Sequence, residues 1–537
     1  MKRLGAPTPA AAGGATTEQA ALSGSVLLCW ALAAAVACAW LVAGPRTPDL
    51  AAQVFRVQVF ADHGFALYDT HWYDGHLLPA YSVLFPPLGA LLGVRVAGAL
   101  ATVAAIVLFD QLARIRFGDR AWRGTAWFAC TAGMNLFSAR LTFALGLAVG
   151  LGALLAAHRA RAGLALVLAA ACTLASPLAG LFLAGCAAVW ALGERRLRPV
   201  LVLLPAALIP LVALEVAFPE GGTFGFGANQ LQLLLAVLAV GLVLLPARQH
   251  ALRLGFALYA AGAVAAYLLP SPVGDNYARL ALIVGGPLLA CALTGRRALA
   301  LAALAPLMLG WSWLPSRFDL QAIGGPSAKA SYYAPVVSFL SRHTYPPARV
   351  EIPFTRSHWE SVYVGGRFLL ARGWERQLDR LDNPLFYRPT SGVLDAGQYR
   401  RWLASKGVKY VALPDAALDG SAGAEGALIE RRPGFLREVF HSRHWRVFAV
   451  RHARPLLDGP GRLRSVRTDS FTIDVRHPGW FLMRLRFSPY WQVSGEAGCV
   501  MRGAAGWTAL RLTQTGIVRV NSDFALGRAL SHSQRCA

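Results

Sequence analysis

Charge is scarce over the first 314 residues, where 20 Lys or Arg and 11 Asp or Glu are spread through Ala/Leu/Val-rich runs. So little charge excludes an ordinary soluble domain there, and the stretch reads as membrane-embedded. No CxxC or Cys/His spacing occurs, so the sequence carries no signal for a structural zinc site. G-x-S-x-G, Walker and strand–helix G-x-G-x-x-G patterns are also missing. With them go the usual signatures of serine hydrolases, P-loop enzymes and dinucleotide-binding proteins. No cleavage site follows the first apolar run, which is therefore expected to remain as an anchor. Internal repeats are absent.

What is present is hydrophobic. The 537 residues are 55% hydrophobic, with mean hydropathy +0.45. Runs at 22–42 and 200–218 are long enough to span a bilayer, which takes about 20 apolar residues, and 231–246 is a shorter candidate. Basic residues collect at 114–123, at Arg159 and Arg161, at 195–198, at Arg248 and Arg253, and at Arg296 and Arg297. The connections between these clusters hold only Arg46, Arg56, Arg95, Arg140 and Arg279. By the positive-inside rule the clusters are cytoplasmic, the N-terminus is inside and the C-terminal part is outside.

This reading predicts a mainly α-helical multi-pass bundle carrying an extracytoplasmic α/β plus β-sandwich domain. Residues 1–20 form a disordered cytoplasmic tail, and 21–315 a transmembrane domain of about 11 helices. A long first outer loop, 44–95, lies within it. An apolar piece between Leu77 and Arg95 is expected along the interface, with the second crossing running from near Ala97 to near Asp110. An α/β unit follows over 316–460. A jelly-roll-like sandwich over 461–537 is indicated by short strands such as SFTIDV, WFLMRLRF and GIVRVNS. The formal charge of +24 is weighted to the soluble part, with 32 basic against 17 acidic residues after position 314. An anionic cell-envelope polymer or lipid is the expected partner of that excess, beside the bilayer itself, and nucleic acid is not. Six of the eight cysteines lie in apolar segments, while Cys499 and Cys536 are free to pair outside the membrane.

Chemistry concentrates in the first outer loop, where Asp49, Asp62, His63, Asp69, His71, Asp74 and His76 stand within 44–87. Asp49 follows the first span closely, in TPDLAAQ. A carboxylate just above the bilayer can take a proton from an acceptor hydroxyl; the plainer reading is a residue at a helix start. Asp69, His71 and Asp74 could hold an acceptor or a divalent cation, or simply make turns in a solvated loop. In PSPVGDNYARL, Asn276 and Arg279 stand at the top of a helix, where a cation and free amides suit a phosphate. A snorkelling anchor is the alternative. Arg356, His358, Trp359 and Glu360 form a polar and aromatic group suited to an acceptor sugar or to a domain interface.

The long outer loop with an early Asp resembles the GT-C superfamily of polyprenyl-phosphate-sugar-dependent glycosyltransferases. The W-x-x-G-x-x-L-x-x-Y…PPL pattern from Trp72 to Leu88 is similar to that of bacterial YfhO-type membrane proteins, and FSPYWQVSGEAGCV resembles their Tyr–Pro–Gly–Trp segment. Here Tyr490 stands in place of the Gly before Trp491. The resemblance implies a membrane glycosyltransferase using a polyprenyl-phosphate-sugar donor, with Asp49 as catalytic base and Arg279 on the donor phosphate. Metal need is mixed in such families. A transporter or flippase of lipid-linked precursors, or a non-catalytic assembly scaffold, are the competing readings.

Overall fold

The computed structural model describes residues 24–195, 197–387, 393–531 and 536; the expected N-terminal tail lies outside them. The chain begins with α1 (Gly24–Ala43), α2 (Pro48–His63), a short hairpin of β1 (Tyr68–Asp69) and β2 (His76–Leu77), and α3 (Phe85–Leu92). The bundle continues through α4 (Val94–Phe117), α5 (Ala121–Phe137), α6 (Leu141–His158), α7 (Ala162–Ala175) and α8 (Pro177–Glu194). After these come α9 (Arg198–Ala217), α10 (Ala228–Leu244), α11 (His250–Leu268), α12 (Gly286–Ala292) and α13 (Gly295–Trp313). Among the described residues six stretches have the length and hydropathy to cross a bilayer: α1, 94–137, α6, α8, α9 and α11. The 94–137 stretch is two helices joined by a turn at Gly118–Arg120. At 14 and 17 residues, α7 and α10 are shorter than a full crossing. The chain is a multi-pass membrane protein, and among the described residues α1 and α4 to α13 make eleven helices in this part, several of them short.

The second crossing is longer than its charges suggested. Arg95 lies inside α4 because its guanidinium donates to the carbonyls of Gly44 and Pro45, both at 2.9 Å, and stacks over Trp40. At the other end Asp110 is buried in α4, not at its terminus, and accepts from Arg114 at 2.8 Å and Thr125 at 2.9 Å. A carboxylate at that depth is tolerable because it is paired.

Beyond α14 (Ser316–Gln321) come α15 (Ala330–His343), β3 (Arg349–Glu351), α16 (Glu360–Tyr363), β4 (Leu369–Leu370) and α17 (Arg376–Asp382). The α/β unit is completed by α18 (Ala396–Lys406), β5 (Val408–Pro414), α19 (Gly423–Glu430), β6 (Leu436–His441) and β7 (Trp445–Val450). Its sheet runs β4-β3-β5-β7-β6, parallel through β5 and antiparallel after it. The remaining strands are β8 (Leu457–Asp458), β9 (Gly461–Arg467), β10 (Ser470–Val475), β11 (Gly479–Arg486), β12 (Trp491–Val493), β13 (Gly498–Arg502), β14 (Trp507–Leu512) and β15 (Gly516–Ser522). They form two four-stranded antiparallel sheets, β12-β15-β10-β9 and β13-β14-β11-β8. Buried and partly exposed residues alternate along β10 from Phe471 onward, facing Phe471, Ile473 and Val475 into the core between them. Cys499 and Cys536 are disulfide-bonded.

The first outer loop joins these parts. Trp72 is fully buried, stacks on Phe55 of α2 with centroids 3.9 Å apart, and donates from its indole to the Ser361 carbonyl. Leu370 of β4 donates to the His71 carbonyl at 2.7 Å, so the loop extends the edge of the α/β sheet. Thr70 donates from its backbone to Thr468 and from its hydroxyl to Arg467, both at 2.9 Å, which ties the same loop to the sandwich.

Candidate functional site

Thr47 and Pro48 open α2, which places Asp49 in its first turn beside the end of α1. Negative charge is favourable at that end of a helix. The Asp49 side chain remains about one-third exposed and faces Arg140 at 3.7 Å. Arg140 is fixed by the α5–α6 turn. Ala139 takes the left-handed conformation (φ 56°), and the Asn135 amide donates to the Arg140 carbonyl at 3.3 Å. The far side of the Arg140 guanidinium meets Asp319 of α14 at 3.9 Å. Ser138 donating to Ser316 at 2.7 Å holds those two segments together.

Arg279 completes the group. It follows the turn Gly274–Ala278 and precedes a π-helical turn, Ala281–Gly285, that leads into α12. Thr131 and Ser312 hydroxyls donate to the Ile283 and Leu282 carbonyls, supplying partners to carbonyls within that turn. Arg279 lies within electrostatic reach of Arg140, Asp49, Tyr81 and Asp275. Burial, and then the neighbouring Arg140 guanidinium, lower its pKa to about 10, so it stays charged at neutral pH. Burial raises Asp319 to about 6, with the Asp49 charge as the next contribution. Burial also raises Asp275, against the pull of Arg279. Asn276 is half-buried in the turn just before Arg279.

These contacts are loose. At 3.7 and 3.9 Å the ion pairs of Arg140 are not hydrogen bonds, and its buried Nε and the buried Asp319 Oδ2 have no hydrogen-bond partner. Two guanidiniums and unsatisfied polar atoms gathered at one end of the bundle have the makings of an anion site.

The α/β unit adds a wall. His358, also left-handed at φ 55°, stacks on Trp374 with centroids 3.4 Å apart and lies 3.5 Å from Asp419. Burial lowers its pKa, although Asp419 opposes the shift, and Asp49 is among the charges it senses. Glu360 accepts from the Thr355 hydroxyl at 2.6 Å and from its backbone at 3.1 Å, and burial raises it to about 7. Trp359 packs in the shared core with α2 and under Arg46, whereas Arg356 is exposed. Of the four residues predicted here, His358 alone is among the charges interacting with Asp49; Trp359 and Glu360 hold the interface.

Asp69, His71 and Asp74 do not converge. Asp69 is fully buried and accepts from His71 at 2.8 Å, with His76 at 3.6 Å. Burial is the largest influence and works against its ionisation, but the His71 hydrogen bonds together with the charges of His71 and His76 outweigh it and hold the carboxyl below its usual range. Asp74 turns the other way, to Arg349 at 3.0 Å and to Lys406. Among the described residues no three His, Cys, Asp or Glu side chains gather as a metal site. These residues are internal ties of the loop. Arg140 and Asp319 were missed by sequence reasoning; the available signal was that Arg140 is the one charged residue in the α5–α6 connection.

No family model matches the chain, and no curated protein matches it. Among solved structures, arabinofuranosyltransferase AftD from Mycobacteria is similar with TM-score 0.46 and 14% identity, over 94% of this chain. This chain covers 57% of the length of AftD. ArnT from Cupriavidus metallidurans, in the apo state, is similar with TM-score 0.37 and 14% identity, over 79% of this chain and 98% of that one.

Proposed function

We propose that the chain is a membrane glycosyltransferase that moves a sugar from a polyprenyl-phosphate donor to a cell-envelope acceptor. The observation that carries this reading is the meeting of Asp49, Arg140, Arg279 and Asp319 at one end of the bundle, under His358. A carboxylate facing guanidiniums provides both halves of a displacement at an anomeric carbon. Asp49 takes the proton of the acceptor hydroxyl as its oxygen forms the new C–O bond. The bond from the anomeric carbon to the phosphate oxygen breaks, and the departing phosphate gains charge that Arg279 and Arg140 stabilise, with Asn276 beside them. Trp374, backed by the buried His358 ring, offers a flat aromatic surface to the acceptor.

The test is transfer from radiolabelled polyprenyl-phosphate sugars to envelope fractions by purified protein. Wild type is expected to transfer label, and Asp49→Asn to lose about 10²–10⁴-fold in rate while folding normally. Full transfer by the Asn variant would remove this mechanism; no transfer by wild type from any donor would return the chain to the scaffold or transporter readings.

A further inference from the structure

A second basic site lies at the other end of the bundle. Arg279 stands in the connection from α11 to α12, so the connections from α10 to α11 and from α12 to α13 lie at the opposite helix ends. Between them is a cavity of about 500 Å³, lined by Pro246, Arg248, Leu293, Thr294, Arg296 and Arg297. Its three arginines are exposed, and among the described residues none of them forms an ion pair or a hydrogen bond through its side chain.

Two of these cations are also badly placed for the helix that carries them. Arg296 and Arg297 occupy the first turn of α13, a 19-residue helix whose N-cap Thr294 makes no side-chain cap bond. The positive end of the helix dipole disfavours cations there, and an anion seated between the three guanidiniums would relieve both the dipole and their mutual repulsion. The flanks are apolar and uncovered. Val243, at the end of α10, is 79% exposed, and Leu299, one turn into α13, is 72% exposed. A charged head in the cavity and hydrocarbon along Val243 and Leu299 describe a phospholipid.

We propose that this cavity binds the phosphodiester headgroup of an anionic membrane phospholipid, separately from the Asp49 site. Basic pockets between membrane helices are suited to such headgroups.

The test uses full-length protein in neutral detergent, titrated with phosphatidylglycerol and with phosphatidylcholine, with lipid retention read by native mass spectrometry. Wild type is expected to retain phosphatidylglycerol selectively, and the R248Q/R296Q/R297Q variant to bind it about tenfold or more weakly. R248Q alone, which leaves α13 untouched, is expected to lie between them and serves if the triple variant fails to fold. Inorganic phosphate up to high concentration is expected not to displace the lipid, because it lacks the acyl contacts. Equal retention of the two lipids, unchanged affinity in the arginine variants, or displacement by phosphate alone would each overturn the proposal.

Discussion

Asp49 and Asp319 face one guanidinium, that of Arg140. Burial, and next the nearby Asp49 carboxylate, push Asp319 up to about 6, so Asp319 gives up its charge opposite Arg140 as pH falls past that value. If the Asp319 carboxylate is needed to hold Arg140 beside Asp49, transfer should fall away below about pH 6. Asp319→Asn should transfer slowly throughout and show no step near pH 6; pH–rate profiles of the two proteins check this. Glu220 offers a separate test. Its carboxylate accepts from the Leu77 backbone, and burial raises its pKa from 4.5 to about 8. A carboxyl that holds its proton more tightly when folded loses stability as pH rises from about 4.5 to about 8, and stays penalised above that. Glu220→Gln keeps an acceptor for Leu77 and removes the charge. It should therefore melt higher than wild type at pH 9 and about equally at pH 5, as thermal denaturation in detergent would show. The place of Asp49 in the first turn of α2 was legible from its position just past the first span. The internal role of Asp74 was not, because Lys406 lies 332 residues away in sequence.

At the scale of the element, the first outer loop is held by its own motif residues. Trp72 packs between Phe55 and the Gly373 backbone, and a Cβ at Gly373 would strike the indole ring. Gly75, at φ 109°, lies so close to the Tyr68 hydroxyl that any side chain there would overlap it. Tyr81 receives the Arg56 guanidinium on its face, 3.9 Å from the centroid, and its hydroxyl accepts from Gln53. The W-x-x-G-x-x-L-x-x-Y spacing thus matches residues that lock the loop, and its catalytic colouring came from Asp49 alone. Gly75→Ala should destabilise the outer domains by roughly 2 kcal/mol or more through overpacking and positive-φ strain. Trp72→Ala should leave a cavity and expose the loop, read as faster proteolysis within 64–84 with little change at the ends of α9. The strands were largely legible because alternation survives in WRVFAVRH and SFTIDV. Short edge strands such as β4 were not, because two residues carry no period.

The whole molecule is stapled at several points on one side of the bundle. Tyr490 of the sandwich donates to the Ala217 carbonyl at the end of α9 and packs on Phe218, while Arg46 donates to Ala328 at 2.7 Å near the start of the α/β unit. The overall plan, an apolar bundle followed by α/β and β-sandwich parts, was legible because the change in composition after residue 314 is abrupt. The lengths of the individual helices were not, since short helices such as α7 leave little apolar length between basic clusters. The Cys499–Cys536 bond carries a consequence for all of this. A structural disulfide persists where no reducing system acts on it, which is rarely the cytosol. The sandwich, and with it Asp49, Arg140 and Arg279, should therefore be open to the outside of the cell, with Arg248, Arg296 and Arg297 reached only from within. A cysteine placed at the exposed Arg356 should react with a membrane-impermeant maleimide on intact cells. One at Arg297 should react only after the membrane is broken. Labelling in the reverse order would turn the protein inside out, and under the proposed function the acceptor would then have to be cytoplasmic.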